Sequence, residues 1–213
     1  MHRLRLKFSR GEQLKFLSHL DLMRLWERSL RRAGVELSYS EGFSPHPRIS
    51  LAAPLAVGIT SVAELMDVFL SHRIADGLFV EKVGPQLPGG IGIMQILPVN
   101  IEAPSLQSRL RFAEYNVDME TDRSGPDIES GLAALLASET LPWHHARDTG
   151  ERFYDLRPLI NGLWLAGKKD DSCSIGMLLR CDASGSGRPE QVVKALGFSA
   201  LPQSIQRTKL VFA

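Results

Sequence analysis

Residues Arg3 to Phe8 read R-L-R-L-K-F, and this stretch opens the fold that we predict for the chain. Alternation of polar and apolar residues with a period of two is typical of a β-strand that buries one face. A helix is predicted next, because Ser18 is a favourable N-cap and Gly34 a favourable terminator. Between them apolar residues recur at steps of three and four: Leu22, Leu25, Trp26, Leu30 and Ala33. The start of the chain therefore predicts a strand followed by an amphipathic helix.

The remainder of the chain predicts more elements of the same two kinds. In the first half we expect strands over 49–57 and 63–70, a helix over 74–83 and a strand over 91–98. In the second half we expect strands over 110–119, 153–166, 174–181 and 205–212, and helices over 127–138 and 189–196. Each half then has the order β-α-β-β-α-β, which is the ferredoxin-like arrangement. We predict an α+β fold of two tandem ferredoxin-like units with antiparallel sheets, residues 1–100 and 109–213, joined by a linker at 101–108.

The composition excludes several classes of protein. The chain has 213 residues, of which 44% are hydrophobic and 23% charged, as in ordinary globular proteins. No apolar run approaches the ~20 residues that a membrane-spanning helix needs, and the N-terminus does not resemble a secretory signal, so we expect a cytoplasmic protein. Two cysteines, Cys173 and Cys181, are too few for a disulfide framework and match no zinc or iron–sulfur spacing. We therefore expect buried thiols, no metal site and no cofactor.

Positive charge is concentrated at the start of the chain. Residues 1–48 contain ten Lys and Arg against five Asp and Glu, although the net charge of the whole chain is only +1. A local basic region on a nearly neutral chain favours a local anionic partner over general coating of nucleic acid.

Several sequence blocks point to a known family. Within residues 16–67 they are F-L-S-H-L-D-L-M-R, L-R-R-A-G, Y-S-E-G-F-S-P-H-P-R-I-S and P-L-A-V-G; later ones are A-P-S-L-Q-S, A-E-Y-N-V, Y-D-L-R-P and S-G-R-P-E-Q-V. Together they resemble the radical SAM-linked protein family, a domain of unknown function encoded beside, or fused to, a cobalamin-binding radical SAM protein. The resemblance implies such a partner and a bacterial cytosolic setting, and it supplies no reaction. With two cysteines the chain is not itself a radical SAM enzyme, which needs three for its cluster.

A second resemblance is one of architecture alone. Two ferredoxin-like units in tandem are the layout of the Cas6-type RNA-processing endoribonucleases, which carry a glycine-rich loop near the last strand. Here the glycine-bearing segment, Gly185 to Arg188, precedes a predicted helix instead. Likeness of fold does not by itself transfer a function.

The loop from Tyr39 to Arg48 is the strongest candidate site. It holds Tyr39, Glu41, His46 and Arg48 between and beside two prolines, which restrict the loop backbone. His46 is a candidate general acid or base, and Arg48 a candidate ligand for phosphate or carboxylate. The alternative is a stiff turn that starts a strand. His19, in the first turn of the predicted helix, is the second catalytic candidate, and we expect the loop to fold over that helix start so that their polar groups share one anion-binding pocket.

Arginines elsewhere are candidates for binding substrate. Arg24, Arg28, Arg31 and Arg32 share one side of the predicted helix, either as a surface that contacts phosphates or as an ordinary solvated face. Arg188 opens the helix at 189–196, where free N–H groups can hold a phosphate, although a simple turn explains the same residues.

Three functions follow from these patterns. The first is a non-catalytic accessory protein of a radical SAM enzyme, which binds or presents a macromolecular substrate, RNA among the candidates. The second is a metal-independent endoribonuclease of Cas6-like architecture that uses His46 and His19. The third is a purely structural subunit.

Overall fold

The computed structural model describes residues 1–147 and 150–213, with only the backbone of residues 145–147 and 152. It confirms the predicted α+β fold class: helices pack on sheets in which β1 pairs antiparallel with both of its neighbours, as do the long strands of the second half. The chain divides into two compact units, unit 1 (Met1–Leu110) and unit 2 (Arg111–Ala213).

Unit 1 has the predicted order of elements, followed by one short extra helix. They are β1 (His2–Arg10), α1 (His19–Arg32), β2 (Ile49–Leu51), β3 (Thr60–Leu70), α2 (Asp76–Val83), β4 (Ile91–Val99) and α3 (Leu106–Arg109). The strand predicted over 49–57 is wrong in length, because β2 ends at Leu51. Pro54 has no N–H to donate to a neighbouring strand, and Gly58 has a positive φ of 87°.

The sheet of unit 1 is antiparallel, with the strand order β2-β3-β1-β4. Its register pairs His2 with Leu70 at one end and Arg10 with Ser61 at the other. Alternation along β1 turns Leu4, Leu6 and Phe8 into the core. The helix residues of this core are Leu22, Trp26 and Leu30 of α1, with Phe79 and Val83 of α2. The Phe8 and Trp26 rings meet edge to face at 5.0 Å.

The ends of α1 are fixed as the sequence predicts. The Ser18 hydroxyl accepts a hydrogen bond from the Asp21 amide at 3.2 Å and donates one to the Asp21 carboxylate at 2.7 Å. Gly34 follows the helix with a φ of 67°, a conformation that glycine adopts without strain.

The opposite side of β1 carries charge. Arg3 and Arg5 both donate to the buried Asp67 carboxylate, at 2.6 and 2.8 Å. The Arg3 guanidinium also donates to the carbonyls of Ala103 and Pro104 at 2.5 and 3.1 Å. The segment predicted as a linker is therefore fastened to unit 1, and its residues 106–108 lie in α3.

Unit 2 has more strands than the sequence predicts. Its elements are β5 (Leu110–Glu120), α4 (Gly125–Ala137), β6 (Pro142–Arg147), β7 (Gly150–Asp155), β8 (Ile160–Lys169), β9 (Ser172–Asp182), β10 (Gly185–Ser186), α5 (Pro189–Ala195) and β11 (Ser204–Phe212). In its sheet β9 pairs with β5, β8 and β10, and β11 lies beside β5; β6 and β7 form a separate hairpin. Assignment of both units to the ferredoxin-like class stays a prediction.

The strand predicted over 153–166 is in fact two strands with a turn between them. The Asp155 carboxylate accepts hydrogen bonds from the amides of Leu141 and Arg157, at 2.7 and 2.9 Å, and so turns the chain at the end of β7. Pro158 then interrupts the strand pattern. In the described residues no helix is both long and apolar enough to cross a membrane.

Candidate functional site

The Tyr39–Arg48 loop lies at the end of unit 1 where β1 begins and β3 ends. The Phe69 amide donates to the Arg48 carbonyl at 3.0 Å, which joins the loop to the C-terminal end of β3. Across the loop, the Ser40 amide donates to the His46 carbonyl at 2.9 Å, and the His46 amide donates to the Ser40 hydroxyl at 3.0 Å. These bonds give the loop a defined backbone although most of its side chains are exposed.

Three ring side chains of this loop face solvent. Tyr39 is 48% exposed, Phe43 is fully exposed, and His46 is also exposed. Within the described part of the chain, none of the three rings makes a hydrogen bond, ion pair or stacking contact. Glu41 is exposed as well, so the loop presents one carboxylate beside its rings. An arrangement of this kind offers flat apolar faces to a partner.

Arg48 is held in place without a carboxylate. Its guanidinium lies 4.4 Å from the centre of the Phe69 ring, and one of its nitrogens is 3.2 Å from the Met1 sulfur. Among the residues that the structure describes, Arg48 has no acidic partner. Most of its N–H groups are therefore free to bind an anion, and the aromatic contact fixes their position.

The α1 arginines fall into two pairs. The Arg24 guanidinium lies 3.5 Å from the Asp21 carboxylate, and the Arg31 guanidinium lies 2.6 Å from the Glu27 carboxylate. The charge of both arginines is therefore partly compensated. Arg28 and Arg32 donate only to backbone carbonyls, of Arg24 at 3.2 Å and Gln86 at 3.1 Å. All four are exposed. Arg28 and Arg32 are therefore the better candidates for binding an anion.

The structure does not bring His19 and His46 together, so the shared pocket expected from the sequence is absent. His19 begins α1, whose 14 residues span ~21 Å. The helix carries the chain back along β1, and the loop starts only beyond the far end of the helix, where Leu37 pairs with Leu70. The side chain of His19 lies instead near the end of β1 that contains Arg10, whose guanidinium donates to the carbonyl of Leu17.

Arg188 belongs to unit 2 and is the N-cap residue of α5. Its side chain is exposed, and the described residues supply it with no ion pair. The Y-D-L-R-P block has a structural role instead. The Arg157 guanidinium donates to the carbonyls of Leu136, Ser138 and Ile160, at 2.6, 3.1 and 2.7 Å, and closes the end of α4. Arg157 is thus occupied by backbone, and Asp155 accepts from amides and forms no salt bridge with it.

The sequence analysis missed two aromatic features. Phe43 was passed over because its neighbours His46 and Arg48 carry more recognisable chemistry. Trp143 and His144 lie in β6, a strand that the sequence did not predict, opposite Tyr154 and Phe153 of β7. The signal that would have found this hairpin is the pair of short aromatic runs on either side of a glycine.

No metal centre is formed by the described residues, because none of their His, Cys, Asp and Glu side chains cluster in groups of three. Cys173 and Cys181 are buried and unbonded to each other, as expected. Burial raises the pKa of the Cys173 thiol, so this group stays protonated at neutral pH.

The chain belongs to the bacterial family described as "Uncharacterized protein conserved in bacteria (DUF2344)", which matches residues 3–189. A search of curated proteins finds no match. Among solved structures, the chain is similar to one in the crystal structure of a Cbf5-Nop10-Gar1 complex. That match has a TM-score of 0.53 and 9% identity, and it covers 97% of this chain and 48% of the other. A second match, in an archaeal box H/ACA sRNP Nop10-Cbf5 complex, has a TM-score of 0.48 and 8% identity, covering 96% and 46%. The chain spans about half the length of these solved chains, and at such low identity the likeness concerns the fold alone.

Proposed function

We propose that this member of the DUF2344 family is a non-catalytic accessory protein that binds single-stranded RNA through unit 1. The observation that carries the proposal is the Tyr39–Arg48 loop, where three exposed rings stand beside an arginine without a carboxylate partner. Single-stranded RNA is bound by stacking of its bases on aromatic side chains and by cations placed at its phosphates. The loop offers both kinds of group on a backbone that its own hydrogen bonds hold in shape.

The helix α1 extends this surface. Arg32 is the last residue of α1, and the chain passes from it through Gly34 and Leu37 directly into the loop. Arg28 lies one helical turn earlier on the same exposed side. A strand of RNA whose bases stack at the loop would therefore place neighbouring phosphates near these two guanidiniums. Asp21 and Glu27 weaken the field of the remaining two arginines, which limits the length of the binding surface.

The geometry favours a binding role over an endoribonuclease. Metal-independent cleavage of RNA needs a base and an acid within hydrogen-bond reach of one phosphate group. His46 and His19 lie at opposite ends of α1, so this pair does not serve one reaction. A purely structural subunit remains the other alternative, and it differs from our proposal in predicting no affinity for RNA.

We base the proposed protein partner, which would receive the RNA, on the resemblance of the sequence to a known family. The sequence blocks between residues 16 and 192 resemble the radical SAM-linked family, so we propose a cobalamin-binding radical SAM protein as that partner. Co-purification of the tagged chain with this protein, with and without ribonuclease, tests the link. Capture that survives ribonuclease would show a direct protein contact, and absence of capture in both conditions would contradict the partnership.

The proposed function is tested by fluorescence anisotropy with a labelled single-stranded RNA at about 50 mM salt, where phosphate contacts are strong. We expect the Arg28→Glu/Arg32→Glu variant to bind at least ~10-fold more weakly than wild type. The matched control is Lys82→Glu/Lys169→Glu, which makes the same change in charge at two exposed lysines outside the site. We expect that control to change affinity less than ~3-fold.

The loop is tested separately with Tyr39→Ala and Phe43→Ala. Each stacked base contributes about 1–3 kcal/mol, which corresponds to roughly 5- to 150-fold in affinity. Absence of binding by wild type at low salt, or equal weakening by the arginine pair and the lysine pair, would show that unit 1 is not an RNA-binding surface.

A further inference from the structure

The hairpin of β6 and β7 in unit 2 carries two cross-strand aromatic pairs. Trp143 lies opposite Tyr154, and His144 lies opposite Phe153. The His144 and Phe153 rings are stacked, with centroids 4.6 Å apart and planes at 15°. Phe153 is nevertheless 72% exposed, so a large flat face of this stack meets water. Exposed aromatic clusters of this kind are typical of surfaces that bind a partner.

A cavity of about 640 Å³ adjoins this stack and is lined mainly by Pro142, Trp143, His144, Phe153 and Tyr154. Its volume falls in the range of small-ligand sites. The indole nitrogen of Trp143 is buried, and no described residue accepts its hydrogen bond. The walls of the cavity are therefore mainly flat and apolar, which suits a planar ring.

A second cavity, of about 410 Å³, shares Tyr154 and Asp155 with the first and reaches Ser184, Ser186 and Arg188. The Tyr154 hydroxyl donates to the Gln191 side chain at 2.7 Å, which fixes the wall between the two cavities. Beside this cavity the backbone packs closely, because a Cβ atom on Gly187 would lie 2.9 Å from the carbonyl oxygen of Leu159, which lines it. The two cavities lie side by side at Tyr154 and Asp155, and we call them together the recess.

Charge in this recess favours an anion at one side. Arg188 has no ion pair with any described residue, and the Lys194 ammonium lies 5.9 Å from the Trp143 ring centre. The Asp155 carboxylate is already occupied by two backbone amides. Glu151 lies 3.5 Å from His144, on the side of the stack, and does not line either cavity.

We propose that this recess of unit 2 binds a nucleotide, with the base against Phe153, Trp143 and Tyr154 and the phosphate at Arg188. The base supplies the flat face that stacks on the rings, and the phosphate supplies the negative charge that pairs with Arg188. The nucleotide is either one residue of an RNA strand or a free mononucleotide, since both present the same groups. In the first case the inference rests on the proposed function and adds a contact in unit 2; in the second case it is independent of that function.

The test uses AMP and UMP as free probes in equilibrium dialysis, and the same RNA labelled with 4-thiouridine for photo-crosslinking. We expect Phe153→Ala and Arg188→Ala each to lower affinity for the bound probe at least ~5-fold. We also expect crosslinks in the peptide that contains residues 142–155. Phe16→Ala is the matched control, because Phe16 is also 72% exposed but belongs to unit 1 and does not line the recess. Phe153 is exposed, so its replacement should leave the fold intact, as circular dichroism would verify.

The outcomes separate this inference from the proposed function. Binding of AMP or UMP that depends on Phe153 supports a free nucleotide site, even when RNA does not bind. Crosslinks from RNA alone support a contact with the polymer. If RNA binds, and Arg28 and Arg32 control its affinity, but Phe153→Ala has no effect and no crosslink falls in 142–155, the nucleotide recess is wrong while the role of unit 1 stands. If neither free probe nor RNA reaches the recess, the inference is also wrong.

Discussion

The guanidinium of Arg48 lies 4.4 Å from the centre of the Phe69 ring, and Arg3 approaches the same ring at 5.2 Å. Phe69 also donates its backbone amide to the Arg48 carbonyl, so the end of the loop is joined to β3 twice. Arg48 is consequently held in position before any anion arrives. Such pre-organisation reduces the entropy that binding would otherwise lose.

The contact between Arg48 and Phe69 should be measurable in a double-mutant cycle. We expect Arg48→Lys and Phe69→Leu to be coupled by about 0.5–2 kcal/mol in the free energy of unfolding, since the planar guanidinium is lost in one variant and the ring in the other. Urea denaturation of the two single variants and the double variant gives the coupling. A coupling free energy of zero between the two substitutions would mean that the ring does not hold the arginine.

Loss of the Asp67 carboxylate should destabilise unit 1 strongly. Asp67 is buried and accepts from both Arg3 and Arg5, so Asp67→Asn leaves guanidinium charge uncompensated beneath the surface. We expect a loss of about 3–5 kcal/mol in the free energy of unfolding. The control is Glu12→Gln, which breaks the exposed pair with Lys15 and should cost less than about 1 kcal/mol. Similar losses in the two variants would contradict this account.

Gly176 should not tolerate a side chain. It pairs with Trp164 across β8 and β9, and a Cβ atom built on it overlaps the Trp164 indole. We expect Gly176→Ala to lower the free energy of unfolding by about 1–3 kcal/mol, because the indole must leave its place. Gly131→Ala is the control, since that glycine lies in α4 with open space around it, and alanine there should stabilise by about 0.5–1 kcal/mol. Recovery of stability in the Gly176→Ala/Trp164→Leu variant would identify the indole as the cause.

The slope of log affinity against log salt concentration should report the number of phosphate contacts. Among the described residues, Arg28, Arg32 and Arg48 are the three site cations without a carboxylate partner. Each contact to single-stranded RNA contributes about −0.7 to the log–log slope. We therefore expect a slope of about −2, which should fall in magnitude by about 0.7 in Arg32→Ala. Anisotropy titrations between about 50 and 300 mM salt measure it. A slope near about −3.5 would mean that Arg24 and Arg31 also bind phosphates despite their ion pairs.

The acid stability of unit 2 should depend on Ser184. Its hydroxyl donates to the Asp182 carboxylate, and this bond, with the Ser184 amide and Arg180, holds the pKa of Asp182 below its ordinary value of 3.8. A carboxyl whose pKa is lowered by folding adds stability above its unfolded pKa and loses it as the pH falls through the folded pKa. The free energy of unfolding of wild type should therefore exceed that of Ser184→Ala at pH 5. The difference should shrink below about pH 4. A difference that is the same at pH 3 and pH 6 would exclude this linkage.

Much of unit 1 could be predicted because its signals are local. Alternation along β1, the Ser18 cap and the Gly34 terminator each involve neighbouring residues, and the structure confirms them. Unit 2 was harder to predict because its turn after β7 depends on a bond between Asp155 and the distant Leu141. The pattern of residues 153–166 is continuous in sequence, so only this tertiary contact reveals that two strands replace one.

The candidate site was predicted in part for a similar reason. The composition of the Tyr39–Arg48 loop identified a surface with rings and a cation, but the distance between His19 and His46 depends on the direction in which α1 returns along the sheet. Closeness in sequence suggested closeness in space, and a helix of 14 residues was long enough to separate the two ends. In unit 2 Arg188 was a predicted phosphate ligand, but the recess around it was not predicted, because its walls come from two separate segments, 154–159 and 184–188.

Several arginines of this chain donate hydrogen bonds to the chain's own backbone carbonyls. Arg10 donates to the carbonyls of Leu14, Lys15 and Leu17, and Arg123 donates to those of Leu196 and Gly197, much as Arg157 does at the end of α4. A lysine cannot reproduce these forked contacts, whereas it can replace an arginine that only attracts phosphate. Homologous sequences should therefore show lysine freely at positions 28 and 32 and rarely at 10, 123 and 157. A count of the basic residues therefore overstates the number that can bind an external anion, because some of the arginines are bound to backbone carbonyls of the same chain.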